Sequence, residues 1–266
     1  MTPNDKAGTA YWNNTWESSE LPLPFDANNK SLDNYVNLQL HVFFQKLLKD
    51  KKNLNILEIG CANSIWPIYF HQYFKATVSG LDYSEIGCEK SRAILKHYNV
   101  PGTIHCANLF DPPKGLQQQF DLVVSFGVVE HFENTAECLQ SCAKFLKPEG
   151  ILFTLIPNIP SVIGFIQKFV DRSIYDIHVP LTKKILAVAH KDTGLKLLMC
   201  DHFMSINLGV VNSGKFSKNR FNPILRHGLS SISKICWILE KYGIRIPKNR
   251  FTSPYILSVA KRPPCT

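Results

Sequence analysis

The sequence contains no uninterrupted apolar run near the ~18 residues of a membrane-spanning helix. The nearest stretch, Ser161 to Val170, is short and broken by Gln167 and Lys168. The N-terminus carries Asn4, Asp5 and Lys6 with no apolar signal region, so a soluble, cytoplasmic protein without a membrane span is expected. Eight cysteines form no Cys-x-x-Cys pair and no Cys/His cluster at zinc spacing, which predicts no metal site and a reducing compartment. Cys138 and Cys142, four apart on a predicted helix, read as small apolar residues. Internal repeats and low-complexity tracts are also missing. At 266 residues and 45% hydrophobic, the chain is long enough for one α/β domain with decorations.

What the sequence does have is a strand that becomes a helix through small residues. Asn53-Leu54-Asn55-Ile56-Leu57 reads as a buried strand, and Glu58-Ile59-Gly60-Cys61-Ala62-Asn63-Ser64 turns it sharply,. Gly60 and Ala62, with the compact Cys61 between them, remove bulk where a ligand would meet the backbone. A helix beginning beyond Ser64 offers free N–H groups to an anion. The next strand, Thr77-Val78-Ser79-Gly80-Leu81-Asp82, ends in an acid ~20 residues further on, the spacing at which nucleotide-binding folds hold a ribose. Tyr83 and Ser84 follow it, placed to flank adenine and ribose. The turn lacks the second and third glycines of Gly-x-Gly-x-x-Gly, which argues against a dinucleotide pyrophosphate. Glu58 suits a cationic amino group better than a phosphate. S-adenosylmethionine (SAM) has the matching profile: a ribose for Asp82, an ammonium for Glu58 and a carboxylate for the turn's N–H groups.

Phe120-Asp121-Leu122-Val123-Val124-Ser125-Phe126-Gly127-Val128-Val129-Glu130-His131-Phe132 supplies a fourth strand and its exit. The turn Phe145-Leu146-Lys147-Pro148-Glu149-Gly150 then leads into a fifth strand, Ile151 to Asn158. With these motifs in this order and spacing, residues 53–158 resemble the class I SAM-dependent methyltransferases. The resemblance implies a doubly wound, Rossmann-like α/β fold: a seven-stranded sheet with helices on both faces, and SAM as cofactor. It implies cofactor contacts from Glu58, Gly60, Cys61, Ala62, Asp82 and Tyr83, and from Ser125 and Phe126 at the end of the fourth strand. Asn108, beside Leu109, stands where the family usually has the Asp that reads the adenine amino group; its side-chain carbonyl can accept the same bond. Ala62 and Ser64 replace family glycines.

Strands are predicted at 55–60, 77–82, 102–107, 120–126, 150–156, 195–206 and 254–261, alternating with helices, which argues for a parallel sheet. One helix is capped by Ser84 and another runs from about Asn134 to Phe145. Residues 1–50, with Tyr11, Trp12, Trp16 and an amphipathic helix from Leu32 to Leu48, form an N-terminal arm and helix expected to act as a lid. Residues 51–266 form the methyltransferase domain, with insertions at 157–180 and 207–253. Both the arm and the first insertion can fold over the carboxyl ends of the strands, where such sheets bind ligands. Tyr11, Trp12 and Trp16 then either box the sulfonium or staple the arm to the core.

Glu130 and His131 face the expected approach of the acceptor, or cap the next loop. His178, with Tyr175 and Asp176 nearby, is the best acid/base or acceptor-orienting group, or a surface histidine. Methyl transfer is an in-line displacement in which alignment contributes ~7–11 kcal/mol, and a neutral amine needs no strong base. With neither a metal site nor an obvious base, the expected reaction is methylation of a nitrogen of a small-molecule metabolite, as in bacterial specialised metabolism. O-methylation is the alternative; a non-catalytic SAM-binding protein or an RNA methyltransferase comes after it.

The formal net charge is +9, and nearly all of it falls between Ser213 and Ser253. Lys215, Lys218, Arg220, Arg226, Lys234, Lys241, Arg245, Lys248 and Arg250 face one acid there, Glu240. Leu225, Leu229, Ile232, Cys236 and Leu239 repeat at helical spacing, with Arg226, Lys234 and Lys241 on the other side. A core-packed helix with a solvated basic face is expected, without a specific nucleic-acid partner. Neither the acceptor nor the oligomeric state is legible.

Overall fold

A computed structural model describes residues 5–211 and 222–264, with side chains omitted for 222–226. Lys215, Lys218 and Arg220 lie outside the described residues, as do the side chains of Leu225 and Arg226. The order of elements is α1 (Gly8–Glu17), α2 (Tyr35–Leu47), β1 (Asn55–Ile59), α3 (Trp66–Phe74), β2 (Thr77–Asp82), α4 (Glu85–His97), β3 (Gly102–Cys106), β4 (Phe120–Phe126) and α5 (Thr135–Ala143). Then come β5 (Leu146–Pro157), α6 (Val162–Val170), α7 (Arg172–Asp176), α8 (Lys183–Ala189), β6 (Lys196–Phe203), α9 (Asn222–Lys241) and β7 (Tyr255–Lys261).

The strands form one sheet in the order β3-β2-β1-β4-β5-β7-β6. Side chains alternate across it, as a strand's two-residue period requires. Ile56, Leu122 and Val124 join the core under α2, α3 and α4 with Phe44, Ile68 and Ile94, whereas Leu57 and Val123 join Leu139, Cys142 and Leu186 of α5 and α8 on the other face. The sheet is therefore doubly wound, and its switch point lies between β1 and β4,. Ser84 caps α4 by accepting from the Gly87 amide at 3.0 Å.

One strand departs from the parallel arrangement: β7 runs antiparallel to both β5 and β6. β6 ends and β7 begins at the carboxyl edge of the sheet, with Tyr255 opposite Phe203, so β7 re-enters from that edge. The inward face of α9 also differs from the expected stripe. Ser233 and Trp237 are buried, while Ile232 and Leu239 are 49% and 38% exposed. The indole decides this: Trp237 stacks on Tyr35 at 4.9 Å and its Nε1 donates to the Ile206 carbonyl at 2.8 Å, pairing a large apolar surface with a satisfied polar end. Ser233 Oγ accepts from the Leu208 amide at 2.8 Å, and Tyr35 donates to Glu240 at 2.8 Å.

Within residues 1–50, α1 lies across the carboxyl edge and α2 packs on the sheet. Phe44 is fully buried, with its ring centroid 4.8 Å from Phe153, 5.0 Å from Phe70 and 6.0 Å from Trp66. Phe44→Ala is expected to cost ~3–5 kcal/mol through lost burial and a residual cavity. Urea unfolding checks this, as a lower midpoint at an unchanged slope.

Candidate functional site

The exits of β1, β2 and β4 surround a cavity of about 270 Å³. Glu58, near the end of β1, is 3% exposed. Its Oε1 accepts from Ser64 Oγ at 2.7 Å, and its Oε2 has no partner among the described residues. Burial pushes the carboxyl up to about 8; the Ser64 bond opposes that shift and nearby Asp82 adds to it,. Gly60 follows with φ +73°, a left-handed conformation, and a Cβ there would overlap the Val128 side chain, so the backbone lies open to the cavity only because the residue is glycine. Asp82 ends β2. Its Oδ2 accepts from the Ala62 amide at 3.1 Å and its Oδ1 from the Ser84 amide at 2.8 Å. Burial raises its pKa and these amides partly restore it.

The walls are aromatic. Trp66 and Phe126 stack at 4.5 Å on one side, and Trp12 and Trp16 of α1 stack at 5.7 Å on another. The arm is tied down along its length. Tyr83 donates to Asp5, the Lys6 amide donates to the His131 carbonyl at 2.9 Å, Ser84 Oγ donates to Asn13 at 2.7 Å, and Asn63 donates to the Glu20 carbonyl at 3.1 Å.

At the far end His131 lines the cavity, with Trp12 edge-on at 5.1 Å and the His178 ring at 4.7 Å. Glu130 beside it is 1% exposed, and burial pushes its carboxyl up to about 8. Burial lowers the pKa of both histidines, that of His178 to about 4 with His131 nearby as a further cause. One ligand atom from each of Glu130, His131 and His178 lies within 4.8 Å of the other two. The fold thus assembles a carboxylate and two imidazoles that cysteine and histidine spacing did not predict.

Of the residues singled out in the sequence, Trp16, Glu58, Gly60, Ala62, Asp82, Tyr83, Leu109, Phe126 and His131 line the cavity. Others lie behind it or away from it. Cys61 is fully buried with its Sγ against Gly80, Ser125 is fully buried and donates to Thr154 at 3.4 Å, and Tyr11 sets its ring edge-on to Trp12 at 5.0 Å. Asn108 is exposed, and its Oδ1 accepts from the Phe110 amide at 2.9 Å. Glu130 and His178 stand behind His131, and Tyr175 lies under Lys168, whose Nζ is 5.4 Å from its ring. Ser64, Trp66, Val128 and Phe132 also line the cavity and were not among the expected contacts. The Ser-x-Trp-Pro start of α3 was the available signal for Trp66, since Pro67 in the first turn marks the helix start,.

The raised carboxyl of Glu58 has a stability consequence. Its folded value of about 8 exceeds the ordinary 4.5, so the folded state holds the proton more tightly. The stabilising share is full below pH 4.5 and is lost as pH rises to about 8. Glu58→Gln removes this titration, so its urea midpoint is expected to fall less than the wild type's between pH 5 and about pH 8.

The methyltransferase-domain family matches residues 32–200. A ubiquinone biosynthesis O-methyltransferase of Neisseria meningitidis serogroup A is 27% identical over 130 residues, 46% of this chain and 55% of that protein. The chain spans about half the length of the curated relatives it matches. Among solved structures, the [4+2]-cyclase SpnF superposes with a TM-score of 0.62 at 10% identity, over 100% of this chain and 98% of that one. Phosphoethanolamine N-methyltransferase 2 of Haemonchus contortus, in complex with SAM, does so with 0.60 at 15% identity, over 85% of this chain and 52% of that one. These likenesses are of fold. No helix among the described residues is long and apolar enough to cross a membrane. The match over residues 32–200, on a sheet whose β1, β2 and β4 exits meet at Glu58, Asp82 and Phe126, makes this chain a member of the class I SAM-dependent methyltransferases.

Proposed function

We propose that this enzyme methylates a hydroxyl oxygen of a small molecule that enters between the N-terminal arm and the 157–180 segment. The carrying observation is that one cavity has Glu58 and Asp82 at one end and His131, backed by Glu130 and His178, at the other. Asp82 accepts the ribose hydroxyls, and the unpartnered Oε2 of Glu58 receives the amino group. Gly60 and Ala62 admit the cofactor to the backbone, while Tyr83, Leu109 and Phe126 pack around its nucleoside. Bound SAM supplies a methyl group on a cationic sulfur. Trp12 and Trp16 face that charge and exclude water.

The acceptor end favours oxygen. An amine attacks without prior ionisation, and the expectation of nitrogen rested on finding neither a base nor a metal site. A hydroxyl must lose its proton, and a carboxylate with two imidazoles is the equipment for that. The O-methyltransferase name of several relatives supports the same reading. A cavity roofed by the arm fits a small acceptor rather than a folded RNA.

Two outcomes follow. Asp82→Ala is expected to lower SAM affinity ten- to a hundred-fold, the loss of a charge-assisted hydrogen-bonding group worth ~1.5–3 kcal/mol, and wild-type protein is expected not to bind NAD. Calorimetry checks both, and undiminished SAM binding by the folded variant would remove Asp82 from the ribose site. With methyl-labelled SAM and paired phenols and anilines of matched shape, label is expected on oxygen. Transfer to the anilines alone, to RNA, or to nothing offered would defeat the hydroxyl assignment.

A further inference from the structure

We propose that Glu130, His131 and His178 bind a divalent transition-metal cation of the zinc class beside the cavity. The donor set comes first. One carboxylate and two imidazoles, each contributing one atom within 4.8 Å of the others, match the three-protein-ligand sites that leave a coordination position open. Bonds of ~2.0–2.2 Å to nitrogen and oxygen bring such atoms together with small side-chain rotations. Nitrogen donors select against magnesium and calcium, which prefer oxygen.

The carbonyl neighbours of the two rings are the second observation. His131 Nδ1 lies 2.9 Å from the Ile177 carbonyl, and His178 Nδ1 lies 2.6 Å from the Ile174 carbonyl. A carbonyl only accepts, so a neutral ring with its proton on Nδ1 keeps a lone pair on Nε2; the His131 ring also faces the Gly127 carbonyl, a contact the cation would replace. Metal-binding imidazoles are oriented in this way by their outer neighbours.

Glu130 provides the third and independent observation. Both of its carboxylate oxygens are buried and without a partner among the described residues, an arrangement that costs several kcal/mol unless something compensates it. A cation supplies the missing partner. The backbone holds the pieces in register: the Val179 amide donates to the Glu130 carbonyl at 2.6 Å, and the Lys6 amide to the His131 carbonyl at 2.9 Å. Because His131 also lines the cavity, the cluster abuts the space assigned to the acceptor. With the cation bound, its three ligands would no longer act as bases; the cation would instead lower the pKa of an acceptor hydroxyl, whose proton passes to solvent. That role rests on the O-methylation reading; the binding site does not.

The test uses the full chain, stripped with chelator and titrated with Co²⁺ and then Zn²⁺, without SAM or acceptor. Wild-type protein is expected to bind one equivalent, with visible Co²⁺ absorption that Zn²⁺ displaces and a rise in Tm. Glu130→Gln, which keeps the shape and removes the charge, and His178→Ala should each weaken binding at least tenfold. Circular dichroism and SAM binding should be unchanged in both. No stoichiometric binding by wild type, or equal binding by two folded variants, overturns the proposal. If a variant fails to fold, the other and the wild-type stoichiometry still decide. A protein that binds the cation yet methylates only amines would retain the site and refute the hydroxyl reading instead.

Discussion

Asp82 accepts main-chain hydrogen bonds from two crossover loops at once, from Ala62 after β1 and from Ser84 before α4. The rest of the site depends on this double anchorage. It requires β1 and β2 to be parallel neighbours in register, with Ile59 opposite Leu81, so that both strands release their loops at the same height. It also requires thin packing behind the turn, where Cys61 presses on Gly80 and any Cβ at position 80 would overlap its sulfur. Moving either loop would separate Asp82 from Glu58 and the open backbone at Gly60. The carboxylate therefore organises the cavity before it binds anything.

Desolvation shapes the chemistry of the cavity more than any ion pair does. Burial drives Glu58, Asp82 and Glu130 toward the protonated form and His131 and His178 toward the neutral one. Among the described residues, Lys147 and Asp121 pair at 2.9 Å and Lys183 and Asp201 at 3.0 Å away from the cavity, where each pair contributes little. A buried pocket of carboxyls held near neutrality is suited to a ligand that brings positive charge. The cationic sulfur and ammonium of SAM, and a divalent cation, share that property.

The arm closes this pocket with modest forces. Its hydrogen bonds contribute ~0.5–1.5 kcal/mol each, and its aromatic stack rests on cavity walls rather than in the main core. None of the α1 residues is fully buried. Trp12, edge-on to His131, joins the position of this element to the far end of the cavity.

Much of this was legible in the residues. Alternating apolar runs separated by helical patterns marked all seven strands to within a few residues, because a buried strand and an amphipathic helix leave different periods. Gly60, Ala62 and Asp82 were readable because a tight turn and an acid at the end of a strand are local facts. Other features needed the fold. The direction of β7 was decided by its start beside the end of β6, with Tyr255 opposite Phe203, and the inward face of α9 by one indole finding a carbonyl and Tyr35. The sequence by itself determined the seven strands, the tight turn at Gly60 and the acid that ends β2, since each rests on contacts between near neighbours or on repeating patterns. Only the tertiary structure set His178 beside Glu130 and His131, almost fifty positions earlier, because burial and carbonyl partners act through space and leave no spacing to read.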